Sequence, residues 1–445
     1  MKRFIVLLLA GIMAASTLAA CGTTSNTNET AAASQTTVTE QAAQSNNQSA
    51  STAAQTADSS NKTSQGQQTI TTANVTSNGV INASDMFTER DLTQTADTSE
   101  AQSLTVSDNN DLSITSAGVY VISGSASNAR IIVDAGDDDK VQIVLDNVTI
   151  DNSSTPAIYV KNADKVFVTT ASGSTNSLTV SGSFTADGTT NTDAAIFSKD
   201  DLVLNGQGTL NISSTDNGVT SKDDLKITGG TINITCTSDA IEANESIAIA
   251  DGNITIKSSK DGLHAENSDD NSTGFIYICG GTLNITAGSD GIQATTAAQI
   301  DGGTISVSAG EGIEATYVQI NDGNVTVNAT DDGINGSNKS SAYSVTVEIT
   351  GGDITVNMGQ GDTDAIDSNG NLYIKGGNVN ITAQSPFDYD GQGQLSGGTV
   401  TVNGTQVTEL TNQMMGGGMG GGMRGGMGGQ PGAMQGGPNG GMGGF

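Results

Sequence analysis

Tryptophan is absent and aromatic residues make up only 3% of the 445-residue chain. Sugar recognition on flat aromatic platforms therefore has little to build on. Histidine occurs once, at His264, which leaves no support for a nucleophilic triad. Positive charge is scarce. The 16 Lys and Arg stand against 47 Asp and Glu, giving a net charge of -31. That balance argues against nucleic acid as a partner, because phosphate backbones need a basic surface. It suits cations, or anionic polymers bridged by cations. The longest apolar run near the start, Phe4 to Ile12, is too short to span a bilayer.

What the chain does have is a repeat. A Gly-Gly-Thr-Ile-x-Ile pattern recurs, its second glycines at Gly208, Gly230, Gly252, Gly281, Gly303, Gly323, Gly352, Gly377 and Gly398. The commonest step is 22 residues. A fixed period of this size signals a stacked solenoid. The apolar residues within it alternate, so each repeat is a coil of strands rather than helices. A consensus turn reads Asp-Gly-Ile-x-Ala, then x-Val-x-Ile, then Gly-Gly-x-Ile-x-Ile. Its three short alternating runs predict an all-β fold, a single-stranded parallel β-helix with three faces. Ile241, Ile247, Ile249, Ile254 and Ile256 form one expected inward set; Ile292, Ile300, Ile305 and Val307 form another. The Gly-Gly pairs mark a tight corner with positive φ. At 22 residues per coil, the stack has about 13 coils and is about 60 Å long.

The flanks differ. Runs such as Val119–Ile122, Val141–Leu145 and Val166–Val168 read as irregular first coils, as expected of capping repeats. Pro386-Phe387-Asp388-Tyr389-Asp390 breaks the pattern and reads as the start of a closing coil. Cys236 and Cys279 occupy different points of the repeat, so they are expected as buried free thiols rather than a disulfide.

Residues 1–20 read as a secretory signal, with Lys2 and Arg3 before the apolar stretch. The stretch Leu18-Ala19-Ala20-Cys21-Gly22 resembles a bacterial lipobox. It implies acylation of Cys21 and anchoring at the extracellular face of the cytoplasmic membrane. Residues 21–84 are Ser, Thr, Asn, Gln and Ala with few large apolar side chains, a disordered tether. The solenoid is expected over 85–410, as a monomer. Residues 411–445 form a Gly/Met-rich tail, read as a flexible spacer, with soft-metal capture by thioethers as the sharper alternative.

One corner carries chemistry. An acid stands at or beside the residue before each Gly/Ala-Ile in successive coils: Asp193 (one residue earlier in its coil), Asp216 (with Asn217-Gly218 next), Asp239, Asp261, Asp290, Glu311, Asp332 and Asp364. Neighbours on stacked coils stand about 5 Å apart. At that distance two charges repel by about 1 kcal/mol in water and about 3–4 kcal/mol near a protein surface. One offset is the turn itself, where Asp accepts backbone N–H groups two residues on. The other is a hard cation such as Ca2+, which takes six to eight oxygens. The position after the Ile forms a second ladder: Phe197, Thr220, Glu242, His264, Gln293, Glu314, Asn335 and Asp367. Paired acids arise at Asp239/Glu242, Glu311/Glu314 and Asp364/Asp367. The densest cluster is Asp362-Thr363-Asp364-Ala365-Ile366-Asp367, with Asp388 and Asp390 one coil later as co-ligands. Lys260, His264, Gln293 and Asn335 are the expected ligand-binding neighbours. Two insertions, 267–273 and 336–342, lengthen coils beside this corner. They line a binding face or are tolerated surface drift.

The lipobox, the Ser/Thr tether, the Gly-Gly-x-Ile-x-Ile coils with Asp-Gly-Ile corners and the Gly-Met tail together resemble a known group. It is the Gram-positive lipoprotein family of carbohydrate-binding domain-containing proteins, related in fold to pectate lyases. The resemblance implies a right-handed parallel β-helix, bound calcium, and affinity for an acidic polysaccharide such as polygalacturonate. Such lyases use Arg or Lys as the base that removes a proton beside the uronate. Lys260, next to Asp261 and near His264, is the one catalytic candidate here, with charge balance as its simpler role. Three readings follow. The first is a non-enzymatic, calcium-dependent binding protein; the others are a calcium-dependent lyase and a structural spacer or adhesin.

Overall fold

The computed structural model describes residues 79–360 and 363–412. The signal, Cys21, most of the tether, Asp362 and the tail from residue 413 lie outside the described residues. The fold is all-β and its strands run parallel, apart from one closing pair. One helical turn, Glu89–Leu92, is the exception.

Coil-to-coil pairing follows the repeat. Leu225 faces Ile247, Ile232 faces Ile254 and Ile241 faces Leu263, each 22 residues on. The alternation puts these apolar side chains inward, where they stack on their equivalents and leave water. All nine residues of the two expected inward sets are at most 1% exposed. Each such burial contributes about 1.5–3 kcal/mol.

Three runs per coil do not make three separate sheets. Strands such as Ala297–Ala309 and Tyr317–Ala329 continue through the glycine corner, with a register shift around Asp301. Two faces thereby join into one 22-stranded sheet, and the third face is a separate parallel sheet of 12 strands. At the corner, the second glycine has φ of 87° at Gly230 and 95° at Gly303, and a Cβ at Gly303 would sit 3.0 Å from the Gly280 carbonyl. Gly208 departs from the expectation: its coil turns at Gly206 instead, with φ 117°.

Pro386 does not interrupt the stack. Ser385–Tyr389 is the last strand of the 12-stranded sheet, paired with Asp364–Ser368. The other sheet closes with an antiparallel hairpin, Thr399–Val402 against Thr405–Val407, which covers its edge. Cys236 and Cys279 are both free; Cys236 is buried and Cys279 half-buried.

Residues 79–94 cross the outer side of the large sheet. Val80 and Ile81 donate their amides to the side chains of Gln319 and Gln299 at 2.7 Å. Ile81, Ala83, Met86 and Phe87 pack on Ala248, Ala250, Tyr277 and Ala297. Asp91 is fully buried, and Lys165 and Lys226 each place Nζ 3.5 Å from its carboxylate. Residues 79–84, expected in the tether, thus lie against the stack.

Candidate functional site

The acid corner lies along the 12-stranded sheet, and strand pairing fixes its register. The outward ladder runs Phe197, Thr220, Glu242, His264, Gln293, Glu314, Asn335, Asp367 and Asp388, each aligned with the next. The first ladder is held by hydrogen bonds between coils. The amide of Asp239 donates to Asn217 Oδ1 at 3.0 Å, that of Asp261 to Asp239 Oδ1 at 2.9 Å, and that of Asp290 to Asp261 Oδ1 at 3.0 Å. Asp364 donates likewise to Asp332 at 3.2 Å. The carboxylates therefore accept from the next coil, not from the amide two residues on. Asn217, rather than Asp216, fills the ladder position in its coil.

These bonds use one oxygen of each Asp and leave the charges to be balanced. The structure does this differently along the rod. Glu242 is satisfied by Asn217 Nδ2 at 2.5 Å, Thr220 at 3.2 Å and Lys222 Nζ at 3.1 Å. The ligand atoms of Asp239, Asp261 and His264 lie within 4.8 Å of one another. There the imidazole is itself the cation. Its Nδ1 stands 3.6 Å from Asp239 and 3.3 Å from Asp261, and Nε2 stands 3.1 Å from Glu266. Burial opposes its charge, but Asp239, Asp261 and Glu266 outweigh burial and raise its pKa to about 9.

The next group, Asp290, Glu311 and Glu314, also converges within 4.8 Å. Glu314 is held below the usual carboxylate range despite burial, by Lys339 at 2.7 Å and Ser337 at 2.7 Å, with Gln293 at 3.2 Å. Glu311 accepts from Asn335 Nδ2 at 3.0 Å. Asp290 accepts from the Ser289 hydroxyl at 3.2 Å, which does not offset the charges around it. Burial, then the charges of Asp261, Glu311 and Glu314, push it up to about 7. Further along, burial and the charges of Asp332, Asp388 and Asp364 push Asp367 to about 7. Asp332 rises to about 6, with burial the main cause.

Two stretches of the ladder thus hold carboxylates that repel each other. The buried Oδ1 of Asn335, the residue between Glu314 and Asp367, has no hydrogen-bond partner. A donor set of carboxylate and amide oxygens suits a hard divalent cation, so the converging Asp290, Glu311 and Glu314, with Asn335 bonded to Glu311, fit calcium best. Asp332, Asp364, Asp367 and Asp388 follow along the same corner but are not among the described groups that converge. Asp239, Asp261 and Glu242 already have cationic partners and fit it less well. Asp390 is exposed beyond Tyr389, outside the register. Lys260 is exposed, and its contribution is electrostatic, helping to hold Asp239 ionised.

Sequence reasoning missed Asn217, Lys222, Ser337 and Lys339. The last two belong to the 336–342 insertion, which also bonds the other insertion through Ser340 and the Asn271 carbonyl. Asn217 was findable from the register. The reach of Lys339 had no sequence signal.

A carbohydrate-binding domain-containing protein of Acetivibrio thermocellus is 36% identical over 123 residues, covering 27% of this chain and 43% of that protein. The chain therefore spans less than half the length of that relative. A solved structure titled as the polysaccharide lyase-like protein from C. thermocellum, a gadolinium derivative, superposes with a TM-score of 0.42 at 23% identity. It covers 66% of this chain and 99% of its own. A family model matches residues 108–317 and 311–413, nearly the whole stack, including every described acid of the ladder. The chain belongs to the family of carbohydrate-binding domain-containing proteins.

Proposed function

We propose that the protein binds an acidic, polygalacturonate-like polysaccharide through calcium ions held by the acid corners. The observation that carries this reading is the environment of Asp367. It stands in register between Asn335 and Asp388, and the strongest charges acting on it are all negative. Calcium there relieves the repulsion with oxygen ligands, and its remaining coordination sites accept uronate carboxylates. The ion also resolves the conflict between a -31 protein and a polyanion. Asp290, Glu311 and Glu314 offer a second acidic group on the same sheet, so more than one ion along it would bridge a linear polymer.

In this reading the stack is a right-handed β-helix, monomeric, and tethered by lipid on Cys21 to the extracellular face of the membrane. Lys260 serves charge balance, and the protein is not an enzyme. Calorimetry with polygalacturonate, in calcium and then in chelator, tests this while ultraviolet absorbance reports unsaturated ends. Calcium-dependent heat without rising absorbance is expected. Rising absorbance would make the protein a lyase, and absence of heat in calcium would leave a spacer.

A further inference from the structure

A second polar site lies on the large sheet, away from the acid corner. It follows from one outward column of side chains. Phe167, Val203, Lys226, Ala248, Tyr277, Gln299, Gln319, Glu348, Tyr373 and Gln394 stand in register, one per coil. The 79–94 segment covers this column from Phe167, where Arg90 stands 4.4 Å over the ring, to Gln319. Among the described residues that cover ends at Gln319, beside a cleft of about 510 Å³.

Its lining includes Asp301, Gln319, Asn321, Glu348, Thr350 and Lys375. The polar groups at its base are fixed by one another. Glu348, 7% exposed, accepts from Gln319 Nε2 at 2.6 Å, Tyr317 OH at 2.8 Å and Lys375 Nζ. Burial opposes its charge, yet these donors hold its carboxyl below the usual range. Asp301 accepts from Tyr277 OH at 3.0 Å, Gln299 at 2.9 Å and Asn321 at 2.8 Å. Neither carboxylate needs a metal ion. Thr350 and Lys375 are exposed at the rim, as is Asp322. The half-buried Tyr373 follows Glu348 in the column, with Lys375 Nζ 5.3 Å from its ring centre.

We propose that this cleft is a second saccharide site, for a neutral, hydroxyl-rich pyranose unit. Vicinal hydroxyls both donate and accept, and carboxylate, amide and ammonium groups held in fixed positions pair with them. Lys375, which stands over the Tyr373 ring, is the cation of this rim. Three carboxylates against one lysine exclude an anionic unit, so the cleft and the acid corner take different sugars. The site needs no cation and does not depend on the calcium reading.

The test is calorimetry of the full chain with cellohexaose, xylohexaose and mannohexaose, each in chelator so that the acid corner is silent. Heat from at least one is expected. Lys375→Ala and, separately, Asn321→Ala are expected to weaken that binding about tenfold or more. Asp367→Asn is expected to leave it unchanged. Because Lys375 is exposed at the rim, its variant is expected to stay folded, with circular dichroism as the check. No heat from any of the three, or heat that both cleft variants retain, overturns the proposal.

Discussion

The amide of Asp290 donates to Asp261 Oδ1 at 3.0 Å, one coil back. The same contact joins Asp261 to Asp239 and Asp239 to Asn217. The acid ladder is thus partly a structural seam, whose carboxylates satisfy amides that the corner would otherwise bury. This separates two roles of one side chain: an oxygen that bonds the next coil, and a charge that needs a counterion.

Substitutions at Asp261 distinguish the two roles. Asp261→Ala orphans a buried amide and is expected to lower stability by about 1–3 kcal/mol in denaturant unfolding. Asp261→Asn keeps the acceptor, as Asn217 does naturally, and is expected to cost much less. Equal losses in the two variants would show that the charge, not the acceptor, holds the seam.

His264 acts as a resident cation. Its folded pKa of about 9 lies above the ordinary value of 6.5. Its stabilising contribution is full below about pH 6.5 and is lost as pH rises through 9. His264→Gln is therefore expected to destabilise the protein at pH 6 and to do so far less at pH 10. Thermal unfolding across that range gives the answer, and a pH-independent difference would contradict it.

Asp290 and Asp367 shift in the same direction, but in a lower pH window. Each has a folded pKa near 7, above the ordinary 3.8, so the folded state holds the proton more tightly. Their stabilising contribution is full below about pH 4 and lost as pH rises to about 7. In chelator, the melting temperature is expected to fall over that window. Calcium binds the ionised forms and is expected to reverse the fall at pH 7.5 but have little effect at pH 4.5. A calcium effect equal at both pH values would rule out these carboxylates as the ligands.

Lys339 competes with any ion at Glu314, which it approaches to 2.7 Å. Lys339→Ala is expected to tighten calcium binding several-fold, measured by titration at low ionic strength. Weaker binding in this variant would place the ion away from Glu314.

The stack was legible because its signal is periodic. Ile241, Ile254 and Ile292 repeat at strand alternation, and the core needs nothing else to be located. The ladder was legible for the same reason, since Glu242, His264 and Gln293 inherit their register from those isoleucines. What failed to show was anything aperiodic. Residues 79–94 carry no repeat, so their path over Tyr277 and Gln319 could not be read. Lys339 reaches Glu314 from an inserted loop whose course no period specifies. The cleft at Glu348 adjoins Gln319, which a segment more than 200 residues earlier in the chain bonds. Asn217 was passed over because the ladder was sought by charge, while the seam selects for an oxygen acceptor.

The most direct measurement compares polygalacturonate binding by the full chain and its Asp367→Asn variant at a fixed calcium concentration. The account predicts calcium-dependent retention by the parent chain and a loss of about tenfold or more in the variant. Undiminished binding by Asp367→Asn, or parent binding that survives chelation, would contradict it.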